Sequence, residues 1–358
     1  MVRSAEAESV SAAKNASAAL EKTLRESARA AVRQSAPEGT LKDFKSLGRS
    51  GVETGAALER EIEHYQALEL LRAEEKNLNE FLTASYRKKV YESVQKAFGL
   101  MDTPEGLRQL GRTVQSRVTD RVNYAALIPA SAKMIFVGEI HNYDVIYREI
   151  ETMLLQYKAA HPGRRVYLLA ESVSSRVPVV SSPAEEAFSP VVESSLTNDR
   201  QQAMYIRLVR GGIRLTGLEL PGVVSGINDG SLSLRADILR KKYSTLLWSS
   251  RRNVYFLRKI KSIRAADPDA VIFVYGGKAH FNYLMPYNVP DLAGEAESLV
   301  VDFGFRQLDE PFGFQSVWNA WRNRRLAEEA AQFGTMVRRV NDPQTARLFG
   351  SDLRIELE

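Results

Sequence analysis

Residues 134–141 read MIFVGEIH, an apolar run that ends in a glycine and is followed at once by an acid and a histidine. Short runs of this kind, rich in β-branched residues, are typical of strands that are buried on both faces of a parallel sheet. Four later segments share this character, and longer helical patterns separate most of them: VYLLA at 166–170, IRLTGLEL at 213–220, VIFVY at 271–275 and SLVVDF at 298–303. The alternation predicts an α/β fold with a mostly parallel sheet core and helices on both faces.

Helical patterns flank this core on both sides. Residues 1–40 are rich in Ala and Ser and predict a flexible or helical N-terminal segment, and residues 41–130 predict a helical region. The α/β core would then occupy residues 131–310, and residues 311–358 predict a C-terminal helical tail. We expect the N-terminal helices to be the surface for a partner or for self-association.

The composition narrows the classes of function. The 358 residues include no Cys, which excludes a thiol nucleophile, a cysteine-based zinc or iron–sulfur site and a disulfide scaffold. The 49 basic and 44 acidic residues give a net charge of +5, which is mild for this length. No apolar run reaches the roughly 18 residues of a membrane-spanning helix, and the N-terminus lacks the apolar core of a signal peptide. We expect a soluble protein, either cytoplasmic or exported without a recognisable signal peptide.

A basic segment at residues 235–264 carries ten Lys or Arg residues and one acid. Its apolar positions predict helix, with the cations on a solvated face. The alternative is attraction of an anionic ligand, polymer or membrane surface. Because no RNA- or DNA-binding motif accompanies the segment, nucleic acid is not an expected partner.

The residues that are suited to catalysis or metal binding lie at the ends of the predicted strands. Right-handed crossovers place the carboxyl ends of parallel strands at one edge of a sheet, where open α/β sheets bind their ligands. The residues that fall at this edge, strand by strand, are Glu139 and His141, then Glu171, then Glu219, and finally Lys278 and His280 in the run GGKAH. Carboxylates and imidazoles that converge in a crevice can activate water, bind a divalent metal, or do both. The sequence therefore predicts one site at this edge.

Three of these motifs together resemble the erythromycin-esterase/ChaN-like superfamily, which also includes the TraB and Tiki proteins. They are GEIH at 138–141, the acid that closes the second strand, and GGKAH at 276–280. Before the last motif that superfamily carries a helix with an Arg-Asn or Arg-Asp pair. Here SSRRNVYFLRKI at 249–260 supplies Arg252 and Asn253, with Arg251 as the competing register. The resemblance covers about half the chain.

The resemblance implies a divergent set of activities. Some members look like hydrolases that activate water through Glu and His, Tiki proteins are regarded as metal-dependent peptidases, and ChaN-like lipoproteins bind haem. By position, Glu139 and His141 would form the first acid/imidazole pair and Glu171 would be the second carboxylate. Arg252 would neutralise an anionic group, and His280 would be the second imidazole.

Further residues are candidates for contacts with a substrate or a cofactor. We expect Glu219, Asn253, Tyr143 and Lys278 to contact the substrate. A divalent metal, Zn or Mn, needs three protein ligands and an open position, and His141, His280 and Glu171 are the candidates. Haem is the alternative cofactor, with Tyr143 or Tyr283 as an extra ligand.

The predicted function is hydrolysis of an ester or peptide bond in a small-molecule or peptide substrate. The sequence contains no G-x-S-x-G, G-x-x-x-x-G-K-[ST], G-x-G-x-x-G or H-E-x-x-H motif, which argues against serine esterases, P-loop nucleotide hydrolases, dinucleotide oxidoreductases and zincins. One alternative is a non-catalytic haem- or metal-binding protein that uses the same crevice. Another is a secreted effector or toxin built on the same core.

Overall fold

The computed structural model describes residues 52–141, 143–193, 199–220, 246–285, 287–294, 297–306, 316–329 and 333–358. The chain divides into two compact units, Met1–Leu78 and Asn79–Glu358. In the first unit the described residues, from Val52 onwards, are helical. The predicted N-terminal segment at 1–40 lies outside the described residues.

The second unit contains an eight-stranded sheet with the strand order β1-β7-β8-β6-β2-β5-β3-β4. The strands are β1 (Val114–Thr119), β2 (Met134–Glu139), β3 (Val166–Ser174), β4 (Arg214–Glu219), β5 (Val271–Gly277), β6 (Ser298–Phe305), β7 (Thr335–Val340) and β8 (Leu353–Leu357). The described helices are α1 (Val52–Met101), α2 (Pro104–Thr113), α3 (Tyr124–Leu127), α4 (Asp144–Ala160), α5 (Glu185–Glu193), α6 (Asp199–Arg210), α7 (Leu246–Ala266), α8 (Val289–Ala293), α9 (Ser316–Glu329) and α10 (Pro343–Phe349). A short 3-10 helix, Lys278–His280, follows β5 directly.

The strands β8, β6, β2, β5, β3 and β4 run parallel to one another, whereas β7 is antiparallel to β8 and β1 is antiparallel to β7. In the register of β2 and β5, Glu139 lies opposite Gly277. The predicted mostly parallel α/β fold is therefore confirmed, and the carboxyl ends of β2, β3, β4 and β5 meet at one edge.

Both faces of the sheet are covered by helices, as the continuous apolar strands require. On one face Val137 belongs to a buried cluster with Ile150 of α4 and Leu208 of α6. On the other face Phe136 belongs to a second buried cluster with Phe256 of α7, and α9 contributes to that cluster as well. No helix among those described has an apolar stretch long enough to cross a bilayer.

The sheet is wider than the sequence patterns indicate. The helical tail is confirmed in α9 and α10, but the tail also contributes β7 and β8, and the predicted helical region contains β1. The apolar pattern of these strands is interrupted by Arg338, Arg354 and Glu356, which are all buried. The structure satisfies these charges internally, because Arg338 Nε donates to Glu356 Oε2 over 3.0 Å and Arg354 Nε donates to Glu356 Oε1 over 2.9 Å. The limits proposed for the individual domains stay a prediction.

Candidate functional site

The site lies at the carboxyl edge of the sheet, where three parallel strands, the 3-10 helix after β5 and α7 contribute side chains. Glu139 ends β2, Glu171 lies in β3 and Glu219 ends β4. His280 comes from the 3-10 helix after β5, and α7 contributes Arg252 and Asn253. Together with His141, which follows β2, these seven residues form one network, in which charge interactions of His141 with Glu171 and Arg252 connect two groups of contacts.

The first part of the network is a carboxylate–imidazole pair. Glu139 Oε1 lies 3.0 Å from His141 Nδ1. The Glu139 side chain is buried, whereas the His141 side chain is 56% exposed. The second carboxylate oxygen, Glu139 Oε2, is buried, and the Tyr275 hydroxyl interacts with the same carboxylate. The buried acid therefore holds a partly exposed imidazole in place.

The protonation of this pair follows from its surroundings. Burial raises the pKa of Glu139, and the contact with His141 offsets this only in part. For His141, desolvation acts to lower the pKa, but the hydrogen bond to Glu139 and the negative charge of Glu171 outweigh it and raise the pKa to about 9. At neutral pH His141 is therefore an imidazolium that faces a carboxylate with a raised pKa.

The second part of the network is an arginine held between two acids. Arg252 Nη2 donates to Glu171 Oε1 over 2.5 Å and also to Glu219 Oε2, and Arg252 Nε donates to Glu219 Oε1 over 3.2 Å. The guanidinium carbon lies 5.5 Å from the centre of the Phe256 ring. Two carboxylates thus share one positive charge, and the planar fork of the guanidinium fixes their relative positions.

The third part of the network is a chain of contacts through His280. His280 Nε2 lies 3.2 Å from Glu171 Oε1, and His280 Nδ1 contacts Asn253 Oδ1. Asn253 Nδ2 donates to the backbone carbonyl of Tyr287 over 2.8 Å, which fixes the orientation of the amide. Both ring nitrogens of His280 therefore face oxygen atoms of neighbouring side chains, which fix the orientation of the ring.

Two glycines allow the parts of the network to approach one another. A Cβ atom at Gly277 would lie 2.8 Å from His141 Nε2 and 3.6 Å from Glu171 Oε2, and a Cβ atom at Gly276 would overlap the Glu171 carboxylate. The amide of Gly277 also donates to Glu171 Oε2 over 2.6 Å. His141, Glu171 and His280 consequently converge on the turn that follows β5.

Two of the expected substrate contacts are placed elsewhere. The Lys278 side chain is buried, with its Nζ 4.0 Å from Asp302 Oδ1 of β6, and burial lowers its pKa to about 7. Tyr143 is 39% exposed and packs edge-on against Phe305, with the ring centres 4.8 Å apart. Because side chains of a 3-10 helix point in three directions, Lys278 and His280 leave the same turn toward different parts of the molecule.

The described residues do not present the predicted metal ligands as a set, and no other group of three His, Asp or Glu side chains among them does so. Glu171 uses Oε1 for Arg252 and His280, and Oε2 for the Gly277 amide. Because both oxygens of Glu171 are already used, the arrangement does not fit a metal on His141, His280 and Glu171.

Tyr283, a candidate haem ligand, donates its hydroxyl to Asp352 Oδ2 over 2.7 Å.

The sequence patterns did not identify three residues at the site, which are Tyr275, Gln201 and Tyr287. The Tyr275 hydroxyl, buried in β5, interacts with the Glu139 carboxylate and accepts a hydrogen bond of 3.0 Å from Gln201 Nε2 of α6. Tyr275 ends the apolar run just before GGKAH, and a polar atom at the end of a buried strand was a usable signal. Tyr287, which contacts Asn253 through its backbone, had no such signal.

Comparison with known proteins gives matches in structure only. No protein-family model and no curated protein matches the sequence. The structure is similar to that of ChaN of Campylobacter jejuni with cofacially bound haem, with a TM-score of 0.40 and 8% identity over 66% of this chain and 90% of ChaN. It is also similar to the type III effector HopBA1, with a TM-score of 0.35 and 16% identity over 53% of this chain and 87% of the effector.

Proposed function

We propose that the protein is a hydrolase that activates water with Glu139 and His141. The observation that carries this proposal is the buried Glu139 carboxylate, which contacts the half-exposed imidazole of His141 at 3.0 Å and also interacts with the buried Tyr275 hydroxyl. A buried carboxylate oxygen of this kind is a favourable acceptor for a proton from water. The motifs GEIH and GGKAH, which resemble the erythromycin-esterase/ChaN-like superfamily, support the same activity.

The two residues take complementary roles because their pKa values are both raised. Glu139 Oε2 takes a proton from water while the water oxygen attacks the carbonyl carbon of the substrate. The His141 imidazolium donates from Nε2 to the carbonyl oxygen, where negative charge develops. The tetrahedral intermediate then collapses, the bond to the leaving group breaks, and the proton on Glu139 passes to that group. Each step is balanced and needs only water and substrate.

We assign the remaining network a positioning role. Arg252 is neutralised by Glu171 and Glu219, so we propose that it orders these acids, in place of the expected role of neutralising an anionic substrate group. His280 and Asn253 hold the other side of Glu171. A fixed charge arrangement of this kind lowers the reorganisation needed during the reaction.

The substrate that we propose is an ester or amide, in a small molecule or a peptide. The test is a panel of ester and peptide substrates, assayed with and without a chelator, on the wild type, Glu139→Gln and His141→Ala. Loss of a general base or acid typically lowers rates by a factor of about 10²–10⁴. Glu92→Gln and His161→Ala are the matched controls, since Glu92 is exposed on α1 and His161 follows α4 at the opposite edge of the sheet.

Equal activity in the wild type and Glu139→Gln would overturn the proposal. Activity that disappears with chelator and returns with Zn or Mn would contradict the mechanism proposed here, which uses water, Glu139 and His141 alone. If the wild type hydrolyses nothing, but added haem gives a Soret band that His141→Ala removes, the chain is instead a haem binder.

A further inference from the structure

A strained residue lies next to the site. Tyr287 has a backbone φ of 52°, and it is the one non-glycine residue with positive φ in the part of the chain that the structure describes. An aromatic residue is disfavoured in this left-handed region, whereas glycine and asparagine occupy it readily. Such strain persists only where the surrounding structure enforces it, and it concentrates at functional sites.

Hydrogen bonds hold this turn from two directions. Asn253 Nδ2 donates to the Tyr287 carbonyl, and the oxygen of the same amide contacts His280 Nδ1. Next to Tyr287, the buried Asn288 donates from Nδ2 to the Met285 carbonyl over 2.9 Å. The backbone of Tyr287 is therefore fixed relative to the imidazole of His280 through one shared side chain.

The turn directs the Tyr287 side chain outward. Leu284, Met285, Asn288 and Val289 around it are all buried, whereas Tyr287 is 54% exposed. Tyr287 belongs to none of the buried clusters formed by the described residues. Core packing therefore does not account for an aromatic side chain at a position where glycine would remove the strain.

We propose that Tyr287 is a specificity-determining residue whose ring contacts a flat ring in the ester or amide substrate. This inference rests on the proposed function and names the substrate class more closely. An aromatic ring on a fixed backbone offers a large contact area at little cost in conformational entropy. Stacked or edge-on ring contacts add binding energy beyond the buried area, and the phenol hydroxyl adds a polar contact.

The test compares two esters on the wild type, Tyr287→Asn and Tyr287→Phe. Methyl benzoate carries a ring and ethyl acetate carries none, and hydrolysis of both is followed by proton release. We expect Tyr287→Asn to lower kcat/KM for methyl benzoate by about 10-fold, mainly through KM, and to change the value for ethyl acetate by less than about twofold. Tyr287→Phe keeps the ring and should retain the preference.

Asn tolerates positive φ, so Tyr287→Asn should have a melting temperature equal to or above that of the wild type. Tyr91→Asn is the matched control, because Tyr91 is 65% exposed on the ordinary helical backbone of α1. An unchanged preference in Tyr287→Asn would overturn the proposal, and so would an equal loss on both esters.

Failure of the proposed function is distinguishable from failure of this inference. If the wild type hydrolyses neither ester, calorimetric binding of benzoate and acetate replaces the kinetic assay. Benzoate binding that Tyr287→Asn weakens, with Tyr91→Asn unchanged, would then support a ring contact without hydrolysis. Equal benzoate affinity in the wild type and Tyr287→Asn, or no benzoate binding at all, would overturn it.

Discussion

Two acids that contact the same guanidinium differ in their affinity for protons. Burial acts to raise the pKa of Glu171, but the positive charges of His280 and Arg252 outweigh it and hold the pKa well below the usual range. Burial also raises the pKa of Glu219, and there the charge of Arg252 does not outweigh it. The difference lies in His280 and His141, whose charges act on Glu171, since both acids contact Arg252 and Glu219 also accepts a backbone hydrogen bond, from the Leu220 amide over 2.8 Å. The two histidines thus keep Glu171 ionised while Glu219 stays easier to protonate.

The charge of His141 gives a prediction at the scale of one residue. Its pKa of about 9 depends on the contact with Glu139, so Glu139→Gln should bring the pKa back toward 6.5. Because the folded-state pKa is raised, the stabilisation from protonated His141 is complete below about pH 6.5 and disappears as the pH rises through about 9. An NMR titration of the imidazole from pH 5 to 10 measures both values. Titration of His141 near 6.5 in the wild type would contradict the prediction.

At the scale of elements, the turn from β5 into the 3-10 helix positions the site. In Gly277→Ala the new methyl group would lie 2.8 Å from His141 Nε2, so the imidazole must move away. We expect hydrolysis to fall at least about 10-fold, since small displacements of catalytic groups are costly, while the melting temperature changes little because a side-chain end can shift.

The control for this variant is Gly111→Ala in α2, where a Cβ atom would have no neighbour within 4 Å. This substitution should stabilise the fold by about 0.5–1 kcal/mol and leave hydrolysis unchanged. Full activity in Gly277→Ala would show that His141 has no fixed place in the reaction.

Sequence patterns predicted those elements whose burial is visible in the residues themselves. The runs that form β2, β3, β5 and β6 are mostly apolar, whereas β4 reads RLTGLE. The rule that the carboxyl ends of parallel strands converge places Glu139, Glu171 and His280 at one edge, where the structure also has them. By contrast, β7 and β8 carry Arg338 and Arg354, whose partners on other strands, Glu356 for Arg338 and Asp302 for Arg354, come together only in the folded chain. The direction of the Lys278 side chain could not be predicted for a similar reason, because it follows from the geometry of one short helical turn.

At the scale of the whole molecule, the last strand in sequence lies inside the sheet. β8 is between β7 and β6, so β7 and β1 join the sheet only through β8. A buried ionic network connects these strands, in which Arg354 Nη1 donates to Asp302 Oδ2 over 2.5 Å and Arg354 Nε donates to Glu356. Asp302 in turn lies 4.0 Å from Lys278, two residues before His280. The network therefore extends from the C-terminal strands to the turn that carries the site.

This arrangement predicts that Arg354→Met destabilises the whole unit. Removing the cation leaves Asp302 and Glu356 buried without their shared partner, which typically costs about 3–5 kcal/mol. Arg108→Met breaks the exposed pair with Glu105, whose atoms lie 2.5 Å apart, and should cost less than about 1 kcal/mol. Urea unfolding, followed by tryptophan fluorescence, compares the two variants with the wild type. Equal midpoints for Arg354→Met and Arg108→Met would mean that the buried charges find new partners, and would contradict the prediction.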